Sequence, residues 1–164
     1  MIDLDAHILK IQNRFTAKLF VGLGYVAYHR AFVNLRDGRR IPETQTAGTK
    51  DYVDRLLDTS QSQSFFVVDD NRTMLAPNTF LSKVYIYFAV NLDILYPSVT
   101  ERAEEHLMRD VYKMLRYTDF EIEEVKTGLK SFTDDFDFIK EGDNMEPYFL
   151  CRFQTLINYS LNEC

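Results

Sequence analysis

The 164-residue sequence contains no tryptophan and only two cysteines, three histidines, six glycines and four prolines. Cys151 and Cys164 stand outside any CxxC motif or Cys/His cluster, so a disulfide framework and a zinc site are not expected. No apolar run approaches the roughly 18 residues that a membrane span needs. The first ten residues, MIDLDAHILK, lack the basic start and apolar run of a signal peptide. These absences predict a protein made in reducing cytoplasm that does not enter a membrane.

Aromatic residues and acidic charge are plentiful. The chain has 13 phenylalanines and 10 tyrosines, which favour strands and large contact surfaces. Its net charge of −6 argues against a surface that grips nucleic acid by neutralising phosphates. The charge is uneven, because residues 1–60 carry nine basic against seven acidic side chains, whereas residues 119–146 carry ten acidic against three basic. Complementary regions of this kind favour packing between copies of the chain.

Periodicity predicts two helices. The first starts at Asp3 as N-cap and stops at Gly22 and Gly24, and its apolar stripe comprises Leu4, Ile8, Ile11, Phe15 and Leu19. The second covers about residues 99–117, with Ser98 and Glu101 in the spacing of a capping box.

Strands are predicted from alternation and from aromatic and β-branched content. Residues 25–35 form a strand closed by an Asp37-Gly38 turn, and residues 64–68 form a short strand ending in a turn at Asp69-Asp70-Asn71. The clearest strand covers 84–94 and belongs at the sheet centre, and further strands cover 120–126 and 148–161. Residues 40–63 are ambiguous, with an apolar island at 52–57 that is either a strand or a helical turn.

These elements predict one α+β domain over residues 1–164. Its sheet is mainly antiparallel and flanked by two helices, in the order α-β-β-β(-β)-α-β-β. A long acidic connection at about 127–147 is expected to protrude from it.

Candidate catalytic and metal-binding groups are weak. Gly22-Leu23-Gly24 follows a helix, so it indicates a helix stop and not a phosphate loop. His106 and Asp110, with Glu105, could face one metal ion, and Asp69 with Asp70 could hold Mg²⁺, but no further ligand follows at a recognisable spacing. We therefore expect no enzymatic activity, no catalytic or metal site and no cofactor.

One stretch resembles a known family. FFVVDDNRTMLAPNTFLSKVYIYFAVNLDILYPSVTERAEEHLMRDVYKML is similar to the middle of the tail-terminator and neck-ring proteins of tailed bacteriophages, as found in Bacteroidetes-infecting crAss-like phages. The shared pattern is a strand ending in an acidic pair, a long alternating strand ending NLDILYP, and a helix with mixed acidic and arginine residues.

The resemblance implies a tail-terminator-like fold and a structural virion protein. Such head-to-tail connectors form homo-oligomeric rings in the phage neck, expected here to be six- or twelvefold. The ring would link the portal or an adaptor to tail or other neck proteins. Genomic DNA would pass through its lumen without specific binding, and the protein, made in the bacterial host cytoplasm, would reside in the virion at the junction of neck and tail.

The uneven charge suggests where subunits meet. The acidic connection, with its phenylalanines, is expected to contact another subunit or a stacked ring instead of folding back, and a basic cluster beside the Asp37-Gly38 turn is expected to receive it. The candidate interface residues are Arg36, Arg39, Arg40, Phe132, Asp134, Asp135, Phe136, Asp137 and Phe138. The alternative for this segment is a flexible, solvated loop.

Two other functions stay open from sequence. A small cytosolic binding or adaptor module would use the sheet edges and the acidic loop to dock a partner. A metal-dependent phosphodiesterase would use Asp69, Asp70 and the Glu105, His106 and Asp110 group.

Overall fold

The architecture is a single sheet with helices on both sides. The computed structural model describes residues 3–45, 51–54, 61–137 and 148–161. Its elements in chain order are α1 (Leu4–Lys18), β1 (Tyr25–Arg36), β2 (Arg39–Gln45), β3 (Tyr52–Asp54), β4 (Ser62–Ala76), β5 (Thr79–Asn91), α2 (Leu92–Leu95), α3 (Glu104–Leu115), β6 (Phe120–Thr127), α4 (Lys130–Thr133) and β7 (Tyr148–Ser160). The seven strands follow the order β3-β2-β1-β4-β5-β7-β6, which confirms the α+β class.

The sheet is mixed, and the described residues contain four helices instead of the predicted two. β1 and β4 are parallel, whereas the other neighbouring strands are antiparallel. A parallel pair needs a crossover of about a dozen residues or more. The chain between Arg36 and Ser62, which contains β2 and β3, supplies that crossover.

Helix α1 forms as its periodicity predicts. The Asp3 carboxylate accepts a hydrogen bond from the Ala6 N–H at 2.9 Å, which satisfies one of the free donors at the helix start. Its apolar stripe is buried against one face of the sheet. α3 covers the same face through Leu107, Val111 and Leu115.

The predicted central strand lies near the middle of this core. Val84, Ile86, Phe88 and Val90 of β5 point to the helical face and are fully buried. Their neighbours Tyr87 and Ala89 point to the opposite face and are buried as well. β5 therefore lies between two cores.

Several predicted boundaries are wrong. β4 does not stop at Asp69 but continues to Ala76, because the register shift between Val68 and Arg72 absorbs the acidic residues as a bulge. β5 ends at Asn91, whose side chain accepts hydrogen bonds from the Asp93 and Ile94 N–H groups and so starts α2.

The second predicted helix begins later than its sequence pattern suggests. The capping box at Ser98 and Glu101 does not form, since α3 starts at Glu104 after Ala103, which makes no side-chain cap. The strands predicted at 120–126 and 148–161 are present as β6 and β7.

The ambiguous region contains β2 and β3. The Asp37-Gly38 turn is confirmed, with φ of 52° and 76°, the left-handed values of a two-residue hairpin turn. β2 was not predicted, because its sequence RRIPETQ holds a proline and mostly polar residues. Tyr52 and Val53 lie in strand β3, and Leu56 and Leu57 lie outside the described residues.

Among the helices of the described residues, none combines the length and apolar character that a membrane crossing requires.

Candidate interaction surface

The predicted basic and acidic interface residues meet within one chain. The Arg40 guanidinium binds the Asp137 carboxylate, with Nη2 to Oδ1 at 3.0 Å and Nε to Oδ2 at 3.1 Å. Backbone groups add to the pair, since the Arg40 N–H donates to Asp137 Oδ2 at 2.7 Å and the Asp137 N–H donates to the Arg40 carbonyl at 3.0 Å. The attraction expected between subunits is therefore used, at this position, inside the subunit.

The acidic segment folds back onto its own sheet as far as it is described. We call residues 128–137 the docked segment. Phe132 and Phe136 are 0% and 1% exposed, and both rings pack edge-on or tilted against Phe65 and Tyr87 at centroid distances of 5.0 to 6.2 Å. The expectation that these two phenylalanines wait for another subunit is wrong, because the second face of the sheet covers them. Phe138 and the rest of the loop to residue 147 lie outside the described residues.

A polar network anchors the middle of the docked segment. Asp135 Oδ2 accepts a hydrogen bond from the Tyr87 hydroxyl at 2.6 Å and another from Arg152 Nη1 at 2.9 Å. The Arg152 guanidinium also lies 4.9 Å from the centroid of the Tyr85 ring. Burial, with a smaller contribution from Asp135, raises the pKa of Tyr87, so its hydroxyl stays a donor.

Sequence reasoning missed Arg152 and Tyr87 as partners of the acidic segment. The available signal was an arginine placed between Cys151 and Phe153 in a strand whose other face is apolar. Such a residue must either face water or pair with an acid on the second face of the sheet.

The remaining predicted residues divide between local contacts and the surface. Asp134 pairs with Lys126, which lowers the pKa of the Asp134 carboxyl. Arg36 is half exposed and binds Glu43 of β2 and Asp54 of β3. Arg39 is exposed and contributes positive potential to the Asp137 site.

A three-stranded, exposed part of the sheet lies beside the Arg40 and Arg36 ion pairs. The pairing of β1 with β4 ends at Arg30, and residues 31–36 of β1 continue in a ladder with β2, which in turn pairs with β3. We call residues 31–36, 39–45 and 52–54 the β-arm. Its register places Val33, Leu35 and Val53 on one face and Phe32 and Tyr52 on the other.

The β-arm carries an unusual amount of exposed apolar surface. Leu35 is 75% exposed, and Phe32, Val33, Tyr52 and Val53 are each exposed by about two fifths to a half. Arg40, which holds Asp137, lies opposite Leu35 on the ladder. The apolar face of the β-arm is therefore bordered by the ion pair that ends the docked segment, a combination typical of a protein contact surface.

The weaker metal-site candidates do not converge. Asp110 accepts a hydrogen bond from the Tyr96 hydroxyl at 2.6 Å, and the His106 ring packs edge-on against Tyr96. Asp69 accepts from the Asn71 N–H at 2.9 Å and from the Tyr85 hydroxyl. In the part of the chain that the structure describes, no group of three or more His, Cys, Asp or Glu side chains is arranged to hold a metal ion.

The Arg40 to Asp137 contact predicts a pH dependence. Hydrogen bonds from the Arg40 side chain and backbone lower the pKa of Asp137 from 3.8 to about 2. Because the folded value lies below the unfolded one, the pair stabilises the fold above about pH 4, and this contribution is lost as the pH falls through about 2. We expect the stability difference between the wild type and Arg40→Gln, measured by urea unfolding, to shrink over that window. Arg72→Gln is the control, and a difference that stays constant with pH would contradict the prediction.

No protein-family model, no curated protein sequence and no solved structure matches this chain.

Proposed function

We propose that this chain is a structural virion protein that forms a homo-oligomeric ring at the head-to-tail junction of a tailed bacteriophage. In this role it links the portal or an adaptor to the tail, and DNA passes through the lumen. The role is mechanical and needs no catalytic centre. The location in the phage neck rests on the resemblance of residues 64–115 to tail-terminator and neck-ring proteins.

The observation that carries the oligomeric part of the proposal is the exposure of Leu35 and Val33 on the β-arm. The two side chains share one face of a ladder that leaves the main sheet after Arg30. Covering such a face with a neighbour gains roughly 25 cal/mol for each Å² of apolar surface removed from water. An arm that fits a different surface on the next copy makes a heterologous contact, and such contacts form a ring when the rotation from copy to copy closes.

Charge supports a lumen that lets DNA pass. The chain carries a net charge of −6, so a ring of identical copies has a strongly negative total charge. Negative walls repel a phosphate backbone and disfavour tight binding of the passing duplex.

The β-arm also supports a second candidate. An adaptor module that binds an unrelated protein through the same apolar face would expose the same residues. The two candidates differ in mass, because an adaptor stays monomeric alone, whereas a ring protein self-associates or assembles on its neighbour in the particle.

The proposal is tested by measuring the oligomeric mass of the wild type and of a matched pair of variants. We expect light scattering after size exclusion at micromolar concentration to show oligomers for the wild type. Leu35→Asp should raise the dissociation constant at least about tenfold, because a charge is then buried in the contact. Val21→Asp, at a loop residue that is 65% exposed, should leave the mass unchanged.

Mass spectrometry of a purified particle completes the test. The ring proposal requires the chain in the particle in multiple copies and requires Leu35→Asp to lower its incorporation. A wild type that stays monomeric and is absent from particles would overturn the ring, and a stable complex with one copy of another protein would favour the adaptor.

A further inference from the structure

A small cleft with basic residues in its lining lies apart from the β-arm. It forms between α1 and the turn that joins α3 to β6. Its lining includes His7, Lys10 and Arg14 from the helix and Tyr117, Thr118 and Asp119 from the turn.

Two cations in this cleft have no partner among the described residues. Lys10 and Arg14 are one helical turn apart, so their side chains share a face of α1. The Arg14 Nε atom is buried and makes no hydrogen bond. A buried donor without an acceptor costs free energy, so an anion that draws the guanidinium toward the cleft and accepts from it would remove that cost.

The acidic group in the cleft is already engaged. Asp119 Oδ2 lies 3.2 Å from His7 Nδ1, and the His7 side chain is mostly buried. The Thr118 hydroxyl donates to the Leu115 carbonyl at 2.6 Å. Lys10 and Arg14 are therefore the donors of this cleft that are open to a ligand.

An exposed tyrosine stands beside the two cations. Tyr117 is 88% exposed and has a φ of 62°, a left-handed conformation that a bulky side chain adopts at a cost. The Arg116 guanidinium lies 4.6 Å from the centroid of its ring. The fold thus places an exposed aromatic ring in a strained conformation at the cleft that Lys10 and Arg14 line, and such strain is found at functional positions.

We propose that this cleft binds a phosphate group through Lys10 and Arg14. A guanidinium offers a planar set of donors that matches phosphate oxygens, and an ammonium adds a point charge. Two cations also match the charge of a phosphate dianion better than that of a carboxylate. The phosphate comes either from inorganic phosphate or from a nucleotide, whose base would stack on Tyr117. This site shares no residue with the β-arm, and its binding test does not depend on whether the ring forms.

The test measures binding of two probes to the full chain by titration calorimetry at low salt. Inorganic phosphate and deoxyadenosine monophosphate are both expected to bind the wild type. Arg14→Gln and Lys10→Gln should each weaken binding about tenfold or more, because each removes a charge-assisted hydrogen bond. Lys83→Gln, at an exposed position on the opposite face of the sheet, removes the same charge and should leave the affinity unchanged.

The two sources are separated by Tyr117→Asn, which removes the ring at a position where asparagine tolerates a positive φ. Equal affinity for both probes, unchanged in this variant, assigns the cleft to inorganic phosphate. Tighter nucleotide binding that is lost in this variant assigns it to a nucleotide. The proposal is overturned if neither probe binds at millimolar concentration, or if binding survives both Arg14→Gln and Lys10→Gln in proteins whose melting temperatures match the wild type.

Discussion

Replacing Phe88 by alanine is expected to destabilise the whole chain by about 3–5 kcal/mol. The Phe88 ring is fully buried in β5 and contacts rings from three other elements: Phe15 at 5.8 Å, Tyr25 at 6.5 Å and Phe153 at 5.7 Å. The cavity left by its removal therefore loosens α1, β1 and β7 together. Because a domain is stable by only about 5–15 kcal/mol in total, this loss is a large share of the fold's stability.

Urea unfolding and thermal melting measure this effect. We expect the melting temperature to fall by about 10 °C, at the 2–4 °C per kcal/mol usual for a domain of this size. Tyr112→Ala is the control, because it removes an aromatic ring that is 56% exposed on α3 and should change stability by about 0.5 kcal/mol or less. An unchanged melting temperature in Phe88→Ala would contradict the position of β5 at the centre of the sheet.

Phe136→Ala is expected to destabilise the docked segment strongly while the rest of the fold stays intact. Phe136 is 1% exposed and packs against the second face of the sheet and against Phe132 of its own segment. Removing its ring costs about 3–5 kcal/mol of packing. That loss falls on the docked segment, which is otherwise anchored by the buried Phe132 ring and by the polar contacts of Asp134, Asp135 and Asp137, so the segment should open before the sheet unfolds.

Hydrogen exchange and limited proteolysis distinguish local from global opening. In Phe136→Ala we expect faster exchange across the docked segment and faster tryptic cleavage at Lys130, while amides of β5 stay protected. Phe32→Ala removes the same ring from an exposed position on the β-arm and should leave this segment protected. Equal exchange in both variants would show that the acidic segment does not depend on its packing against Phe65 and Tyr87.

Much of the core on the face covered by α1 and α3 could be predicted from sequence because its periodicities are long. The stripe of α1 and the alternation in β5 and β7 each extend over more than ten residues, and no other backbone geometry buries such sets on one side. Short or polar strands give no comparable signal. β2 is stabilised by its ladder with β1, whereas Pro42 in its middle predicts a loop when the sequence is read alone.

The core on the opposite face of the sheet cannot be predicted from the sequence for a different reason. Phe65, Phe66, Val67 and Val68 form a continuous apolar run, which is typical of a strand covered on both faces. That run indicates that something must cover the side away from the helices. Phe132 and Phe136 supply the cover, but their acidic neighbours suggested an exposed loop.

The candidate interface shows the limit of charge patterns. The charge pattern predicts attraction between subunits, from the arginines near Asp37 to the acids near Phe136, whereas Arg40 binds Asp137 within the chain. Charge alone cannot say whether two complementary groups meet within a chain or between chains. Geometry decides it here, because a sheet with an uncovered second face offered the acidic segment an intramolecular site.

The position of β7 has a consequence for how the chain can be made. β7 lies between β5 and β6 and pairs with thirteen residues of β5 and seven of β6. A nascent chain that has emerged only as far as Thr127 therefore leaves β6 without a neighbour in the sheet and β5 with one open edge. Phe65 and Tyr87 also stay uncovered until Phe132 and Phe136 have been synthesised.

Closure of both cores depends on contacts far apart in sequence, which is typical of slow folding. During synthesis the growing chain thus presents open strand edges and apolar rings to the cell, and protection from aggregation at that stage depends on chaperones or on speed of release.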